Sequence, residues 1–360
     1  MKSQFLHTAA AVLLAGATAA SFAAPASAQM FDGVTLTVGT FGGSWKDRIC
    51  GYICPKFEAE GGKIEFVTGN PRILLSRVVQ ARGQDAPMDV MESAESIWPE
   101  TKAAGLVTKL DLANIPNTAE MDPQMYDDFR VANWVTEEGF IFDIEKFKEL
   151  GIPRPTKYED LFHPELAGRI SVPDINVNTV ITAIAGFAVS GGGDENNIDP
   201  GLKKIKELGV HSFWNSGTQI TQMFKAGDIL VAIAHAGWGV RLHDAGVPVG
   251  MVHPAVKDKI GMASRGFGTV VTGSKNKRAA EWYINELVSE GMQEILHTRN
   301  GIVPVNQKVQ EKYSGSPKVD VSGEPFLLLS PQQIANLYYM DYSNFNMQEW
   351  TKKWNRIVAR

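Results

Sequence analysis

The chain has 360 residues, of which 44% are hydrophobic and 21% are charged, and its formal net charge at pH 7 is -5. This composition is typical of a soluble globular protein, and the length suffices for two domains. A slightly acidic chain lacks the excess of positive charge that binds nucleic acid, so nucleic acid is not an expected partner.

The N-terminal segment is typical of a secretory signal peptide. Lys2 supplies positive charge, the apolar run over residues 9–20 is too short to span a bilayer, and Ala26-Ser27-Ala28 matches an A-x-A cleavage site. We expect cleavage after Ala28 and export, most simply to a bacterial periplasm. An uncleaved membrane anchor is the alternative. Residues 1–28 therefore take no part in the fold prediction.

The first predicted element is a strand over residues 35–38, followed by the glycine-rich turn 39–43. Ser44 is expected to cap a helix that opens at Trp45. Ligands of open α/β sheets bind beyond the carboxyl ends of strands, where helix N-termini present free N–H groups. The turn thus predicts a small-molecule site, with a plain strand-to-helix turn as the alternative. It lacks the G-x-G-x-x-G spacing of a dinucleotide site.

The only two cysteines, Cys50 and Cys54, lie four residues apart on this predicted helix. Residues with this spacing share one helix face, with their Cα atoms roughly 6 Å apart, which is marginal for a disulfide. Export makes the bond chemically possible. A disulfide and two reduced core cysteines both remain open, and no metal site is expected because further ligands are missing nearby.

Alternating strand and helix patterns follow and predict an α/β fold with a parallel, doubly wound sheet. Strands are predicted over residues 64–68, 88–91, 131–135, 140–142, 229–234 and 247–251, with a further strand running into a turn over 168–174. Helices are predicted over residues 72–81, 143–150, 180–189, 202–208, 219–225 and 277–287, and two more within 331–360. Residues 301–306 read as an extended crossing segment.

Four stretches, taken in order, resemble the periplasmic solute-binding proteins of ABC importers, in the spermidine/putrescine-binding-like branch. They are T-V-G-T-F-G-G-S-W at 37–45, the long block G-F-I-F-D-I-E-K-F-K-E-L-G-I-P-R-P-T-K-Y-E-D-L-F-H-P-E-L-A-G-R-I-S-V-P-D at 139–174, F-K-A-G-D-I-L-V-A-I-A-H-A-G-W at 224–238, and G-I-V-P-V-N at 301–306. Together they span nearly the whole mature chain.

The resemblance implies a two-lobe periplasmic-binding-protein fold of type II, in which each lobe is a sheet flanked by helices and the ligand cleft lies at the hinge. Lobe 1 would comprise residues 29–137 plus 269–301, and lobe 2 residues 139–265 plus 306–360. The hinge crossings would fall near 138, 266–268 and 302–305. Closure of the hinge around the ligand is the expected motion.

The resemblance also implies a set of ligand-binding positions at the strand ends and the hinge. They are Thr40, Phe41, Gly43, Ser44 and Trp45 in the first loop, Ser93, Ala94 and Glu95 in the second, Asp174, Asn178 and Thr179 before a lobe-2 helix, Trp238, and Arg265 and Phe267 in the last segment. Asn178 and Thr179 could instead cap the helix that follows them.

Arg265 marks a departure from the polyamine-binding pattern, in which several carboxylates hold ammonium groups. A guanidinium presents a planar fork suited to carboxylate, sulfonate or phosphonate. We therefore expect an organic anion or zwitterion held by Arg265 with Trp45 and Trp238. A hinge or surface ion pair is the alternative role for Arg265. Glu95 and Asp174 could still hold an amine, so a polyamine ligand stays open.

An enzyme is not expected, because the chain has no G-x-S-x-G elbow, H-E-x-x-H motif or phosphate-binding loop. His235, at a strand end beside Trp238, is the one histidine close to the predicted site, and a role in the core or the cleft wall suits it best. We expect a monomer without a cofactor that captures a small solute and delivers it to the permease subunits of an inner-membrane ABC transporter. A periplasmic chemosensory binding protein would share this fold and cleft. A gene knockout separates the two functions, because it abolishes uptake in the first case and taxis in the second.

Overall fold

The computed structural model of the chain describes residues 29–82 and 84–359, so the predicted signal peptide and its cleavage site lie outside the described residues. The described ranges form ten β-strands and thirteen α-helices. The strands are β1 (Thr35–Thr40), β2 (Lys63–Thr68), β3 (Val90–Ala94), β4 (Arg130–Asp143), β5 (Ile170–Pro173), β6 (Ser212–Trp214), β7 (Val231–His235), β8 (Val249–Val252), β9 (Met262–Val270) and β10 (Tyr338–Tyr339).

The helices alternate with the strands along most of the chain and cluster near its C-terminus. They are α1 (Ser44–Ala59), α2 (Pro71–Gln80), α3 (Trp98–Ala103), α4 (Ile144–Leu150), α5 (Thr179–Ser190), α6 (Asp199–Glu207), α7 (Gly217–Ala226), α8 (Ala236–Asp244), α9 (Lys277–Leu287), α10 (Glu290–Asn300), α11 (Gln307–Ser314), α12 (Pro331–Ala335) and α13 (Met347–Ile357). Among the described residues, we find no helix with the length and apolar character needed to cross a membrane.

The strands form one mixed sheet, flanked by helices, in the order β2-β1-β3-β9-β4-β7-β5-β6, with β10 beside β9 and β8 beside β4. β1 pairs in parallel with β2 and β3, and β5 pairs in parallel with β6 and β7. β9 lies antiparallel between β3 and β4. The predicted α/β class is therefore confirmed, although the sheet is mixed because two long antiparallel strands occupy its centre.

β4 and β9 connect the two halves of the sheet. β4 pairs with β9 from Arg130 to Glu138 and with β7 from Glu138 to Phe142, so its partner changes at Glu138. β9 pairs with β10 at its start and with β3 from Gly266 onward. A third segment crosses nearby, where Val303 forms an isolated bridge with Val135.

The core positions the predicted first binding turn. Helix α1 buries Ile49, Ile53 and Phe57, which are spaced four residues apart on one face, against the same apolar cluster as Leu36 and Val38 of β1. Each such buried side chain contributes roughly 1.5–3 kcal/mol of hydrophobic stabilisation. The turn between β1 and α1 is therefore held at both ends by packed elements.

Two strands extend further than the sequence predicts. β3 runs to Ala94 because its antiparallel pairing with β9 continues to the pair Ala94–Gly266, so Glu92 and Ser93 lie in the strand and not in a turn. β4 is continuous where two strands and a turn were predicted, because its polar residues Thr136–Glu138 keep pairing with β9. The tail also differs from a pair of helices, because β10 lies between α12 and α13.

Candidate functional site

A cavity of about 460 Å³ lies where the two halves of the sheet meet. Its walls come from the turn after β1, the start of α2, the end of β3, the middle of β4, the segment that leads into α5, the end of β7 and the start of α13. The volume lies within the range of small-molecule sites, which is roughly 300–1,000 Å³. Strand ends and helix N-termini thus converge on one partly open space.

Alternate residues of β4 form the floor of the cavity. Trp134, Thr136 and Glu138 line it, as expected for side chains that alternate between the two faces of a strand. The indole of Trp134 lies across Gly266 of the neighbouring strand β9, and a Cβ atom placed on Gly266 would come within 1.9 Å of the ring. Glycine at this position is therefore what allows the indole to lie flat in the floor.

Three polar atoms around this floor have no hydrogen-bond partner within residues 29–82 and 84–359. They are Oε2 of Glu138, Nε1 of Trp134 and Nδ1 of His235, all of which are buried. Leaving such groups unsatisfied costs about 1–3 kcal/mol each. A bound molecule that supplies their partners would recover this free energy, so the cavity has the chemistry of a binding site.

The two titratable groups of the floor are both biased towards their neutral forms. Burial raises the pKa of Glu138 well above its usual value, and the adjacent carboxylate of Glu137 raises it further, against a hydrogen bond from Thr136. The hydroxyl of Thr136 donates to Oε1 of Glu138 over 3.1 Å, and Oε2 has no hydrogen-bond partner among the described residues. Burial, together with the charge of Arg241, lowers the pKa of His235 to about 3.

The segment before α5 forms one wall and places Asn176, Asn178 and Thr179 on the cavity. Asn178 does not cap α5 with its side chain; its Oδ1 instead accepts a hydrogen bond from the hydroxyl of Ser96, over 3.0 Å. Asp174 does not line the cavity, because its carboxylate accepts two hydrogen bonds from Asn176. Asp174 therefore shapes the loop that presents Asn176.

The opposite wall includes the start of α2. Asn70 caps this helix by accepting the N–H of Ile73, and Asn70, Pro71 and Arg72 line the cavity. Arg72 is exposed at the cavity edge, 4.0 Å from Glu100. Helix N-termini carry partial positive charge, and α2, α5 and α13 all begin at this cavity.

The first predicted loop contributes one residue directly. Phe41 lines the cavity, with its ring edge-on to Trp45 at 6.2 Å. Trp45 lies behind it and donates its Nε1–H to Oε2 of the fully buried Glu92 over 2.9 Å. Gly43, with φ of 62°, precedes α1, and the exposed Ser44 is its first residue, so Ser44 does not cap the helix as predicted.

Most of the remaining predicted positions lie away from the cavity. Ala94 lines it, but Thr40 and Ser93 are buried within their strands. Trp238 packs under α7, where a Cβ atom on Gly217 would approach its ring to 2.0 Å. Phe267 is buried in the core. Phe41, Ala94, Asn178 and Thr179 are thus the predicted residues that the structure brings together on this cavity, and the ligand-binding role of every position stays a prediction.

Arg265 lies on the other face of β9. The sheet register pairs it with Val135, whereas the cavity-facing residues Trp134 and Thr136 pair with Gly266 and Ser264. A shift of one residue along a strand moves a side chain to the opposite face. The guanidinium is instead bound to Glu95, with 2.8 Å between Nε and Oε1, and to the carbonyl of Gln124. This is the ion-pair alternative considered for Arg265, and it also removes Glu95 from the cavity.

The cysteines are joined in a disulfide within α1, with their Cα atoms 4.8 Å apart. Pro55 follows directly, inside the helix, and cannot donate a backbone hydrogen bond to Gly51. The structure thus selects one of the two states that the sequence left open. No group of three or more metal-binding side chains is found in the described part of the chain.

Sequence reasoning missed most of the floor and one wall. Trp134 fell within the predicted strand 131–135, and Thr136 and Glu138 fell on the turn predicted after it. Their i, i+2, i+4 spacing puts all three on one face of β4, but the strand continues this far only through its pairing with β7 and β9. Asn70 and Arg72 follow the second strand, and the parallel pairing of β1 and β2 brings their turn beside Phe41. Met347 and Thr351 of α13 line the cavity without any local signal.

A family model described as bacterial extracellular solute-binding protein matches residues 54–321 of the chain. The chain belongs to this family. No curated protein sequence matches the chain significantly. The family assignment confirms the predicted resemblance to the solute-binding components of ABC importers, and such proteins are not enzymes.

Solved structures of similar shape cover nearly the whole described chain. An ABC transporter protein from Clostridium perfringens is 25% identical, with a TM-score of 0.73, and the match covers 90% of this chain and 99% of that one. The periplasmic binding protein MotA of A. tumefaciens, in complex with glucopine, is 18% identical, with a TM-score of 0.68 over 90% and 100% of the two chains. The spermidine/putrescine-binding protein PotD of Streptococcus pneumoniae is 13% identical, with a TM-score of 0.69 over 91% and 98%.

The predicted periplasmic-binding-protein fold is therefore confirmed. This solute-binding protein is the substrate-binding component of an ABC transporter, which binds a small ligand and interacts with a membrane permease. Membership of an extracellular solute-binding family implies a periplasmic location. The cavity between the halves of its sheet is the candidate ligand site.

Proposed function

We propose that this solute-binding protein captures a small zwitterion, with the ammonium group of the ligand on Glu138 and its acidic group near the start of α5. The observation that carries the proposal is the carboxylate of Glu138, which is 5% exposed, lines the cavity and leaves Oε2 unpartnered among the described residues. A buried carboxylate is stabilised in its ionised form by an adjacent opposite charge. An ammonium group supplies both that charge and the missing donors.

The cavity wall formed by the start of α5 favours negative charge. Asn178 does not cap α5 with its side chain, and Thr179 begins the helix at the cavity wall. The positive end of the helix dipole at this wall suits a carboxylate or a related oxyanion. Arg72 adds a positive charge at the cavity edge. The floor and the walls of the cavity therefore match a ligand with one group of each sign.

A polyamine is the second candidate, because relatives of similar fold include a spermidine/putrescine-binding protein. Glu138 is the one carboxylate among the described residues that line the cavity. A polyamine carries several ammonium groups, and a single buried carboxylate leaves the others without an ionic partner. The charge balance of the cavity therefore favours the zwitterion. The relative in complex with glucopine adds glucopine to the compounds worth testing.

We further propose that β4, β9 and the segment 302–305 form the hinge between the two predicted lobes. The change of strand partners at Glu138 and the bridge between Val135 and Val303 support these crossing points. Glu138 would then lie in the hinge itself, where a bound ammonium group contacts the strand about which the lobes rotate. Ligand binding would be coupled directly to closure.

The test is a thermal-shift screen of the mature protein, followed by calorimetric titration. Glutamate and γ-aminobutyrate represent zwitterions, succinate an anion, and putrescine and spermidine polyamines. We expect stabilisation by a zwitterion through mass action. Glu138→Gln should weaken its binding about tenfold to a hundredfold, as expected for the loss of a charged hydrogen bond. Glu145→Gln, at an exposed position of α4, is the matched control.

The proposal fails if the best ligand has no amine, or if Glu138→Gln binds it as tightly as the unaltered protein does. A polyamine as the only hit would select the second candidate. Binding should be retained in Arg265→Ala, because this side chain lies on the far face of β9. Loss of zwitterion binding in that variant, with the fold intact, would instead support the sequence-based prediction for Arg265.

A further inference from the structure

A second space, of about 550 Å³, lies beside β9 and is separate in its lining from the proposed ligand cavity. The ends of β3 and β10 approach each other here from opposite directions along β9. Glu95 and Asp341, just beyond those two strands, both line it together with Arg265. Glu95 and Ser96 are adjacent in the chain but line different spaces. We refer to this second space as the lateral crevice.

Arg130 lines the lateral crevice and has hydrogen-bond donors that its neighbours leave without acceptors. Its guanidinium carbon lies 4.4 Å from the ring centre of Trp98 and 4.1 Å from that of Phe267, so aromatic rings hold it on both sides. Its Nε donates to Asp127 over 3.0 Å. Its two terminal nitrogens have no acceptor within residues 29–82 and 84–359, although the side chain is only 17% exposed.

The other charges of the lateral crevice differ in how far they are already paired. Lys102 lines the crevice with its ammonium group 5.5 Å from the ring centre of Phe129, and no carboxylate of the described residues lies within ion-pair distance of it. Arg265 is bound to Glu95 and to a backbone carbonyl. Asp341, on the facing wall, accepts hydrogen bonds from the N–H and the hydroxyl of Ser343. The ammonium group of Lys102 and the terminal nitrogens of Arg130 are therefore the donors of the crevice that lack partners in the described part of the chain, and the facing carboxylate of Asp341 already holds two donors.

We propose that the lateral crevice binds a small oxyanion between the terminal nitrogens of Arg130 and the ammonium group of Lys102. A guanidinium held flat between rings presents a fixed fork that matches two oxygens of a carboxylate or phosphate. An oxyanion would supply these donors with charge-assisted hydrogen bonds. This site uses none of the residues proposed above for the transported solute, so the two proposals stand or fall separately.

The test is stabilisation of the mature protein by inorganic phosphate, with acetate as the carboxylate probe and sodium chloride at equal ionic strength as the reference. Arg130→Gln should raise the phosphate concentration for half-maximal stabilisation at least tenfold. Lys102→Gln, at an exposed position, should raise it severalfold. Arg278→Gln removes an exposed arginine of α9 and should leave it unchanged. Glu138→Gln should also leave it unchanged, which separates this crevice from the solute cavity.

A measurement on the unaltered protein covers the case in which Arg130→Gln fails to fold. The side-chain NMR signals of Arg130 should shift on titration with phosphate and should follow the same concentration dependence as the thermal stabilisation. The proposal is overturned if phosphate acts no differently from chloride. It is equally overturned if Lys102→Gln and Arg278→Gln respond alike while the Arg130 signals stay fixed.

Discussion

The hydroxyl of Ser96 donates to Oδ1 of Asn178 over 3.0 Å and joins two walls of the candidate ligand cavity that are 82 residues apart in the chain. Ser96 follows β3, in predicted lobe 1, and Asn178 precedes α5, in predicted lobe 2. If the lobes separate, this bond is among the contacts that must break. It therefore favours the closed form of the cleft.

Ser96→Ala should weaken solute binding about twofold to tenfold, because one hydrogen bond contributes roughly 0.5–1.5 kcal/mol. We expect the loss mainly as faster dissociation. Ser76→Ala is the matched control, since this exposed hydroxyl donates to a carbonyl of its own helix, α2. Calorimetry and stopped-flow dissociation measure the effect. Equal affinity in the Ser96 and Ser76 variants would show that the bond does not favour closure.

Glu92 should make the folded protein less stable as the pH rises towards neutrality. Burial raises its pKa from 4.5 to about 7, so between these values the folded protein holds a proton that the unfolded chain has released. Relative to Glu92→Gln, the unaltered protein should lose about 3 kcal/mol of unfolding free energy between pH 4.5 and 7. Urea titrations at several pH values measure this difference. A difference that stays constant with pH would contradict the shift.

His235 should act in the opposite direction. Its pKa is lowered from 6.5 to about 3 by burial and by Arg241, so on acidification the unfolded chain takes up a proton that folded His235 refuses. Stability conferred by the neutral ring is present above pH 6.5 and falls below it. Relative to His235→Gln, the loss should reach about 2 kcal/mol at pH 5. Parallel unfolding curves at pH 5 and 7 test this, and binding should vary little with pH over that range as far as His235 is concerned.

The disulfide between Cys50 and Cys54 should contribute little to global stability. It closes a very short loop, and the entropy removed from the unfolded chain grows with loop length, so we expect at most about 2 kcal/mol. Unfolding of the Cys50→Ser, Cys54→Ser double variant measures the contribution. A much larger loss would mean that the bond holds α1 in place in a way that loop entropy does not describe.

The sequence predicts the framework better than the site because the two depend on different information. The strand-helix alternation and the resemblance identify the α/β class and the family, and Phe41, Ala94, Asn178 and Thr179 do line the cavity. These four lie at or just after strand ends, or at the start of a helix, where position along the chain decides exposure. Arg265 shows the limit, because its direction depends on the register between β4 and β9.

Glu138 shows the same limit from the other side. Its place in a continuous strand depends on pairing with β7 and β9, which come about a hundred residues later in the chain. Its burial depends on those partners too, and hence so does the shift of its pKa. No local pattern contains these facts. The position and burial of the residue that carries the proposed chemistry are therefore set by strand partners that are distant in the sequence.

The absence of a side chain at Gly266 gives this protein a simple route to a change in ligand selectivity. A methyl group at this position would displace the Trp134 ring from β9 into the candidate ligand cavity. A substitution at a residue that does not contact the ligand would thus change which ligands fit. Related proteins would then differ in ligand selectivity through this one position.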